Sequence, residues 1–128
     1  MDNKKPLTVL FSGRFDPPHC GHFTTILQLS RLFEKVIVVV LDYPKRKTTS
    51  SYAKQVFDEI IYLTEKNIKV VINKIHFAKI TKKEFDSFNC DVYASGNMEV
   101  LSHIDSLGIP TFYTHRAFEY EASRYILK

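Results

Sequence analysis

Runs of apolar residues alternate along the chain with amphipathic stretches, which is the pattern of consecutive strand–helix units. Short continuous apolar runs predict five strands, over residues 7–12, 36–41, 68–72, 91–94 and 109–113. The second run consists of six consecutive aliphatic residues, which is typical of a central parallel strand buried on both faces. Parallel strands of this kind need crossover connections, usually helices.

Stretches with apolar residues at helical spacing are predicted to form these crossovers. This spacing predicts helices over about residues 21–33, 51–65, 98–106 and 119–127. A shorter helix is predicted over 81–88, because Thr81 and Glu84 are spaced as a capping box. Since such crossovers are right-handed, the helices cover both sides of the sheet. The sequence therefore predicts an α/β fold: a Rossmann-like, doubly wound sheet of about five parallel strands with helices on both faces, in a single domain over residues 1–128.

Composition narrows the class of protein only a little. The 128 residues are 45% apolar and 25% charged, as in an ordinary soluble globular domain. No apolar run approaches the ~20 residues of a membrane span, so no membrane partner is expected. The two cysteines, Cys20 and Cys90, do not make a disulfide framework, which indicates a reduced, cytoplasmic protein.

The net charge of +4 is a mild excess whose placement matters more than its size. Lys45, Arg46 and Lys47 directly follow the second predicted strand, where α/β folds bind ligands. They favour a polyanionic ligand, although a solvated loop accounts for any one of them equally well. Nucleic acid is a weaker candidate, because the chain has no long basic run, no zinc-finger spacing and no basic stripe interleaved with aromatic residues.

Ligands in such sheets bind beyond the carboxyl ends of the strands, near the point where the strand order reverses. The loops of interest therefore begin at Ser12, Asp42, Ser95 and Thr114. Asp42 is a nearby carboxylate, but a capped turn before Pro44 explains it as well as metal binding does. The loop that follows the first strand is the most informative of the four.

In that first loop, Gly13 follows the strand, where the lack of a side chain permits close approach of the backbone to a ligand. Gly21 stands at the start of the first predicted helix, whose N-terminus has free N–H groups and a partial positive charge suited to phosphate. His19 and His22 are three residues apart, so both imidazoles can lie over that N-terminus. Zinc is the competing interpretation, but zinc needs three or four converging ligands, and Cys20 would point away from His19.

The residues from Gly13 to His22 read G-R-F-D-P-P-H-C-G-H and resemble the G-x-F-D-P-x-H-x-G-H form of the HxGH signature of the nucleotidylyltransferase superfamily. Residues 91–97 are similar to the fourth strand and glycine turn of that family, with Asn97 where many members have Asp. Near the C-terminus, Arg116 fits the first arginine of the cytidylyltransferase pattern. Ser123 fits one hydroxyl of its Ser/Thr pair, whereas Arg124 falls where threonine is usual.

This resemblance implies an enzyme that transfers a nucleoside monophosphate from a nucleoside triphosphate to a phosphorylated small molecule and releases pyrophosphate. It implies four catalytic residues: His19, His22, Lys45 and Arg116. It also implies nucleotide contacts from a larger set of residues: Ser12, Gly13, Arg14, Phe15, Asp16, Gly21, Lys47, Gly96, Asn97, Ser123 and Arg124. Mg²⁺ is the implied cofactor, with no ligands assigned to it, and a homodimer is the implied assembly.

The nucleotide and the acceptor stay open at this point. Chain length and the fit of Arg116 favour CTP with an acceptor like glycerol 3-phosphate, as in the short cytidylyltransferases. Arg14 is instead more typical of nicotinamide-mononucleotide-type adenylyltransferases, which use ATP, and a phosphopantetheine-type acceptor belongs to the same alternative. A nucleotide-binding module without turnover is the candidate of a different class, and the intact pair of His19 and His22 argues against it.

Overall fold

Strands and helices alternate throughout the part of the chain that the computed structural model describes, residues 5–64 and 67–114. The elements in chain order are β1 (Lys5–Gly13), α1 (Cys20–Leu32), β2 (Phe33–Leu41), α2 (Ser50–Thr64), β3 (Ile68–Asn73), α3 (Lys82–Asp86), β4 (Val92–Ser95), α4 (Met98–Ser106) and β5 (Thr111–Tyr113). Among these residues, no helix has the length and apolar character needed to cross a bilayer.

The five strands form one parallel sheet in the order β3-β2-β1-β4-β5. The central strand β1 pairs with β2 on one side and with β4 on the other, so that Leu10 lies between Ile37 and Tyr93. The chain therefore builds outward in one direction and then reverses, which leaves a crevice beyond the carboxyl ends of β1 and β4.

Each face of the sheet has its own apolar core because successive side chains of a strand point to opposite faces. On one face, Val9 and Phe11 of β1 pack with Ile26 and Leu29 of α1 and with Phe57 of α2. On the opposite face, Leu10 and Tyr93 pack with Phe85 of α3 and with Leu101 and Ile104 of α4. The predicted doubly wound architecture, with helices on both faces, is confirmed.

The predicted elements occur in the predicted order, and the differences lie at their ends. Helix α1 ends at Leu32, and β2 begins at Phe33 with no intervening turn, whereas the sequence pattern predicts a helix to Phe33 and a strand from Val36. Phe33 has extended backbone and is 2% exposed, so burial of its ring recruits it to the strand. Asn67 secures this junction, because its Nδ2 donates to the carbonyls of Ser30, Phe33 and Glu34.

Strand β5 is shorter than the predicted run over 109–113, since Pro110 has no N–H group with which to join the ladder. The short helix α3 is capped as predicted: Glu84 N donates to Thr81 Oγ1, and Thr81 N donates to Glu84 Oε1. Helix α4 has the predicted bounds. The last predicted helix, over 119–127, lies outside the described residues.

Candidate active site

The loops after β1, β2, β3 and β4 surround an open cavity of ≈ 1170 Å³ at the carboxyl edge of the sheet. Most of the predicted site residues line it: Ser12, Gly13, Arg14, Phe15, Asp16, His19, His22, Lys45, Gly96 and Asn97. Gly21 and Lys47 are described but do not line it. Arg116, Ser123 and Arg124 lie outside the described residues, and their roles stay predictions.

The two histidines form the N-terminal cap of α1. His19 is the N-cap residue, and Gly21 N donates to its Nδ1 at 3.1 Å. In return, His19 N donates to Nδ1 of His22, also at 3.1 Å. The exchange is the reciprocal arrangement of a capping box, with imidazoles in place of the usual hydroxyl and carboxylate. The two rings stack with centroids 3.7 Å apart and planes inclined by 21°.

This cap fixes which ring nitrogen carries the proton. Since Nδ1 of both His19 and His22 accepts from a backbone N–H, the proton of each neutral ring resides on Nε2, which is then a donor. Burial lowers the pKa of His19 below its ordinary value of 6.5, which also favours the neutral ring. The N–H of Gly21, in the first turn of α1, and the N–H of the preceding His19 donate to the imidazoles, so these two groups do not meet a ligand directly. The positive end of the helix therefore reaches the cavity through the two rings.

Phe15 packs against His22 of this pair and belongs to the apolar core, although it also lines the cavity. Its ring is 3% exposed and packs edge-on against His22, with centroids 4.8 Å apart. It packs in the same way against Phe57, also at 4.8 Å. A Cβ atom at Gly13 would lie 2.9 Å from Cζ of Phe15, so Gly13 leaves room for this ring. Packing is therefore one reason for glycine at this position, and the expected close approach of a ligand stays a prediction.

Asp16 joins the loop after β1 to the loop after β2. Its Oδ2 accepts from Lys47 N at 2.7 Å, and its Oδ1 accepts from Thr48 N at 2.6 Å and from Thr48 Oγ1 at 2.7 Å. Burial alone would raise the pKa of Asp16, but these hydrogen bonds and the nearby Arg46 lower it to about 2. The carboxylate of Asp16 and the N–H of Lys47 thus hold the two loops together, and the nucleotide contacts expected of these two residues stay predictions.

The three cations of the loop after β2 are not equivalent. Arg46 is half-buried, and its guanidinium donates to four backbone carbonyls, those of Arg14, Phe15, Leu41 and Thr48. Lys45 is exposed and lines the cavity. Of the three, Lys45 is therefore the cation available to a phosphate in the cavity.

On the side of β2 and β3, the cavity wall is aromatic and basic. The guanidinium carbon of Arg14 lies 5.0 Å from the ring centroid of Tyr43, a cation–π contact. The Tyr43 ring in turn lies 6.5 Å from that of His76, in the loop after β3. Phe77 and Ala78 continue this wall. A planar or anionic group finds complementary surface here.

On the side of β4, the wall is lined by hydroxyl groups and a helix cap. Ser12 Oγ and Tyr93 Oη are 2.6 Å apart. Burial raises the pKa of Tyr93 to about 12, against the opposing effect of hydrogen bonds with Ser12 and Ser95, so the phenol is neutral. Asn97 caps α4, because its Oδ1 accepts from Glu99 N at 3.0 Å. The hydroxyls and the adjacent Gly96 offer neutral hydrogen-bonding groups at the point where the strand order reverses.

The wall formed by Tyr43, His76 and Phe77 is absent from the set of residues that the sequence singled out. The signal for it is present in the chain, because His76 and Phe77 closely follow β3, and the carboxyl end of β3 lies at the same edge of the sheet as that of β1. Metal ligands show no comparable grouping: the described residues contain no set of three or more His, Cys, Asp or Glu side chains placed to hold an ion.

A Rossmann-like sheet with a helix N-terminus at the mouth of a cavity, beyond the carboxyl ends of the strands, is the arrangement in which such folds bind nucleotides. A family model described as Cytidylyltransferase-like matches residues 10–106. The chain therefore belongs to the cytidylyltransferase-like family of the nucleotidylyltransferase superfamily.

Among curated proteins, the chain is similar to phosphopantetheine adenylyltransferases. That of Natranaerobius thermophilus is 33% identical, with 51% of this chain and 52% of that protein covered. That of Aquifex aeolicus is 40% identical, with 30% of this chain and 24% of that protein covered. The chain thus spans about half, or less, of the length of these curated relatives.

Among solved structures, a NadR protein in complex with NAD and AMP-PNP superposes with a TM-score of 0.70 at 16% identity, covering 97% of this chain and 42% of that one. A lipopolysaccharide core biosynthesis protein from Thermoplasma volcanium gives a TM-score of 0.57 at 20% identity, covering 85% of this chain and 94% of that one. At these identities the likeness concerns the fold alone.

Proposed function

We propose that this chain is an adenylyltransferase that transfers AMP from ATP to a phosphorylated small molecule and releases pyrophosphate. The observation that carries the proposal is the stacked pair of His19 and His22, held at the N-terminus of α1 with both Nε2–H groups as donors. The choice of ATP is supported by the curated relatives, which are adenylyltransferases. It replaces the preference for CTP, whose main residue, Arg116, lies outside the described part of the chain.

In this reaction an oxygen of the acceptor's phosphate attacks the α-phosphorus of ATP, and the bond from that phosphorus to the β-phosphate oxygen breaks. A phosphate monoester is largely ionised at neutral pH, since its second pKa is about 6, so no strong general base is needed. Catalysis then consists of positioning and charge stabilisation. The Nε2–H groups of His19 and His22 donate to phosphate oxygens as negative charge develops, and Lys45 offsets the charge of the polyphosphate.

Magnesium is proposed to enter with the nucleotide. Both carboxylate oxygens of Asp16 accept hydrogen bonds from the neighbouring loop, so this carboxylate is engaged elsewhere. The ion would be held by the phosphates of ATP and by water, as is usual for Mg²⁺ at such sites. Its contribution is to neutralise charge on the phosphates.

The acceptor has two candidates. The curated relatives support a phosphopantetheine-type acceptor. The cation–π pair of Arg14 and Tyr43, with His76 nearby, supports an acceptor that carries a planar ring, such as nicotinamide mononucleotide. Tyr43→Leu separates the two, because it should raise KM for the ring-bearing acceptor about tenfold and leave KM for phosphopantetheine within about twofold.

The deciding experiment measures pyrophosphate release by the purified chain with each of the four nucleoside triphosphates and Mg²⁺. The acceptors are 4′-phosphopantetheine, nicotinamide mononucleotide and glycerol 3-phosphate. We expect ATP to be preferred, and His22→Ala to abolish most of the turnover. Preference for CTP with glycerol 3-phosphate would return the chain to the cytidylyltransferase interpretation. ATP binding without turnover under any combination would favour the non-catalytic module.

A further inference from the structure

We propose that Arg46 is a positioning residue for His22 and does not serve as a phosphate ligand. Arg46 lines the cavity and belongs to a basic loop, which suggests a phosphate contact, but its hydrogen bonds point to a different role. The guanidinium instead fixes the backbone around Phe15, and Phe15 holds the ring of His22. This inference rests on the proposed function for its kinetic test alone, because its other readouts need no turnover.

The first step is the set of carbonyls that Arg46 binds. Its Nη1 donates to Leu41 O at 2.7 Å and to Arg14 O at 2.5 Å, while Nη2 donates to Phe15 O at 3.2 Å. Its Nε donates to Thr48 O at 2.8 Å. One side chain therefore ties together the end of β2, the loop after β1 and its own loop. Asp16, in the loop after β1, joins the same two loops by accepting from backbone N–H groups of the loop after β2.

The second step is the backbone of Phe15, whose φ of 50° lies in the left-handed region. A bulky residue rarely adopts this conformation, and it persists only where the surroundings enforce it. The carbonyls of Arg14 and Phe15 belong to the peptide groups before and after the Phe15 Cα. By binding both, Arg46 constrains both backbone dihedrals of Phe15.

The third step runs from Phe15 to His22. The left-handed conformation places the Phe15 ring in the core, edge-on to His22 at 4.8 Å and edge-on to Phe57 at 4.8 Å. His22 is thus held by the backbone N–H of His19 on one side and by a buried ring on the other. The position of Arg46 is transmitted to His22 through this one intervening residue.

Donor counting argues against a simultaneous bidentate contact with phosphate. Arg46 has five N–H groups, and four donate to carbonyls. Bidentate binding of phosphate needs two N–H groups on one edge of the guanidinium, so it would break at least one of these bonds. Lysine cannot replace the arrangement, because its three N–H groups diverge from a single nitrogen and cannot reach four carbonyls in three segments.

The test compares wild type with Arg46→Lys, which keeps the charge, and with Arg31→Lys as the matched control at an exposed position in α1. Three quantities are measured: kcat and KM, the Kd for pyrophosphate by titration calorimetry, and the ¹⁵N shifts of the His22 ring. For Arg46→Lys we expect kcat to fall about 10- to 100-fold, KM and the pyrophosphate Kd to stay within about twofold, and the His22 shifts to lose the pure Nε2–H pattern. Arg31→Lys should match wild type in all three.

A pyrophosphate Kd raised about tenfold or more with unchanged His22 shifts would make Arg46 a phosphate ligand and overturn the proposal. Unchanged kcat and unchanged shifts would overturn it equally. If Arg46→Lys does not fold, Asp16→Asn loosens the same two loops from the other side, and the same three measurements decide. If wild type shows no turnover, the proposed function fails, while the pyrophosphate titration and the His22 shifts still decide the role of Arg46.

Discussion

At the scale of single residues, the start of α1 assigns two tasks to the same side chains. Helix N-termini are usually capped by Ser, Thr, Asp or Asn, whose oxygen accepts from a backbone N–H. Here His19 accepts that bond through Nδ1 and, because of it, carries its proton on Nε2. The bond that stabilises the helix thus also sets Nε2 of His19 as the hydrogen-bond donor. Substitutions that keep the cap but remove the donor should separate the two tasks.

We expect His19→Asn to retain most of the stability of the fold and to lose about 100-fold or more in kcat. Asparagine is a good N-cap but leaves no ring N–H at the Nε2 position, and removing one donor of this type costs about that much. His19→Ala should lose the same activity and, in addition, about 1 kcal/mol in the free energy of unfolding. Steady-state kinetics and urea denaturation of both variants check this. Equal stability of the two variants would show that the His19 cap contributes nothing.

The lowered pKa of His19 predicts a pH dependence of stability. In the unfolded chain His19 titrates near 6.5, whereas burial lowers its pKa in the fold. Below 6.5 the unfolded state therefore binds more protons, so stability is lost as the pH falls through that value and towards the folded-state pKa. Urea denaturation at pH 7.5 and 5.5 should show a smaller loss for His19→Asn than for wild type. Equal losses would mean that His19 does not contribute to the pH dependence.

At the scale of elements, caps and strand ends determine where the cavity walls begin. Asn97 illustrates this, because its side chain both caps α4 and lines the cavity. Its Oδ1 accepts from Glu99 N and Val100 N, so the bound amide oxygen is a structural group. An aspartate at this position could make the same bonds through a carboxylate oxygen.

Asn97→Ala should therefore destabilise the fold by about 1 kcal/mol, and Asn97→Asp should be neutral or slightly stabilising near the positive end of α4. Urea denaturation of the two variants at pH 7.5 measures both effects. A loss of stability in Asn97→Asp as large as that in Asn97→Ala would show that the cap is not what Asn97 contributes.

Elements that obey local rules are the ones that the sequence predicts well. The spacing of Thr81 and Glu84 predicts the cap of α3, and the run from Met98 to Ser106 predicts α4 with its observed bounds. The junction of α1 and β2 is missed, because Phe33 joins the strand through burial in the core. Burial of this kind depends on distant parts of the chain.

The same distinction applies to the site. The histidine pair is recognisable from its spacing, since one helical turn brings both rings together. The bonds of Arg46 and Asp16 are not, because they join loops about 30 residues apart and nothing in a basic loop says which cation turns inward. The wall that contains His76 could have been predicted by the rule that identifies the other loops, namely that ligands bind beyond the carboxyl ends of the strands.

At the scale of the whole molecule, the sheet brings the loops after four of its strands together at one edge. The cations Arg14 and Lys45 and the hydroxyl-bearing residues Ser12 and Ser95 line the same cavity as the two histidines. Two walls of different chemistry around the pair of His19 and His22 suit a reaction between two substrates. Oligomerisation is the other property that belongs to this scale.

The homodimer stays a prediction that follows from the resemblance to short cytidylyltransferases. Large apolar side chains at the end of α2 are consistent with an interface, since Tyr62 and Leu63 are 85% and 80% exposed. Light scattering coupled to gel filtration should give about twice the chain mass of 14.9 kDa at micromolar concentration. A monomer under these conditions would refute the prediction.

The direct passage from α1 into β2 restricts how chain length can vary. Leu32 and Phe33 belong to different elements with no loop between them, and Asn67 binds carbonyls on both sides of the junction. One residue inserted there would turn the helix by about 100° relative to the strand, because an α-helix has 3.6 residues per turn. Such an insertion would rotate His19 and His22 away from the cavity, although it lies at the opposite end of the 13-residue helix α1. Length changes are therefore not expected at this junction.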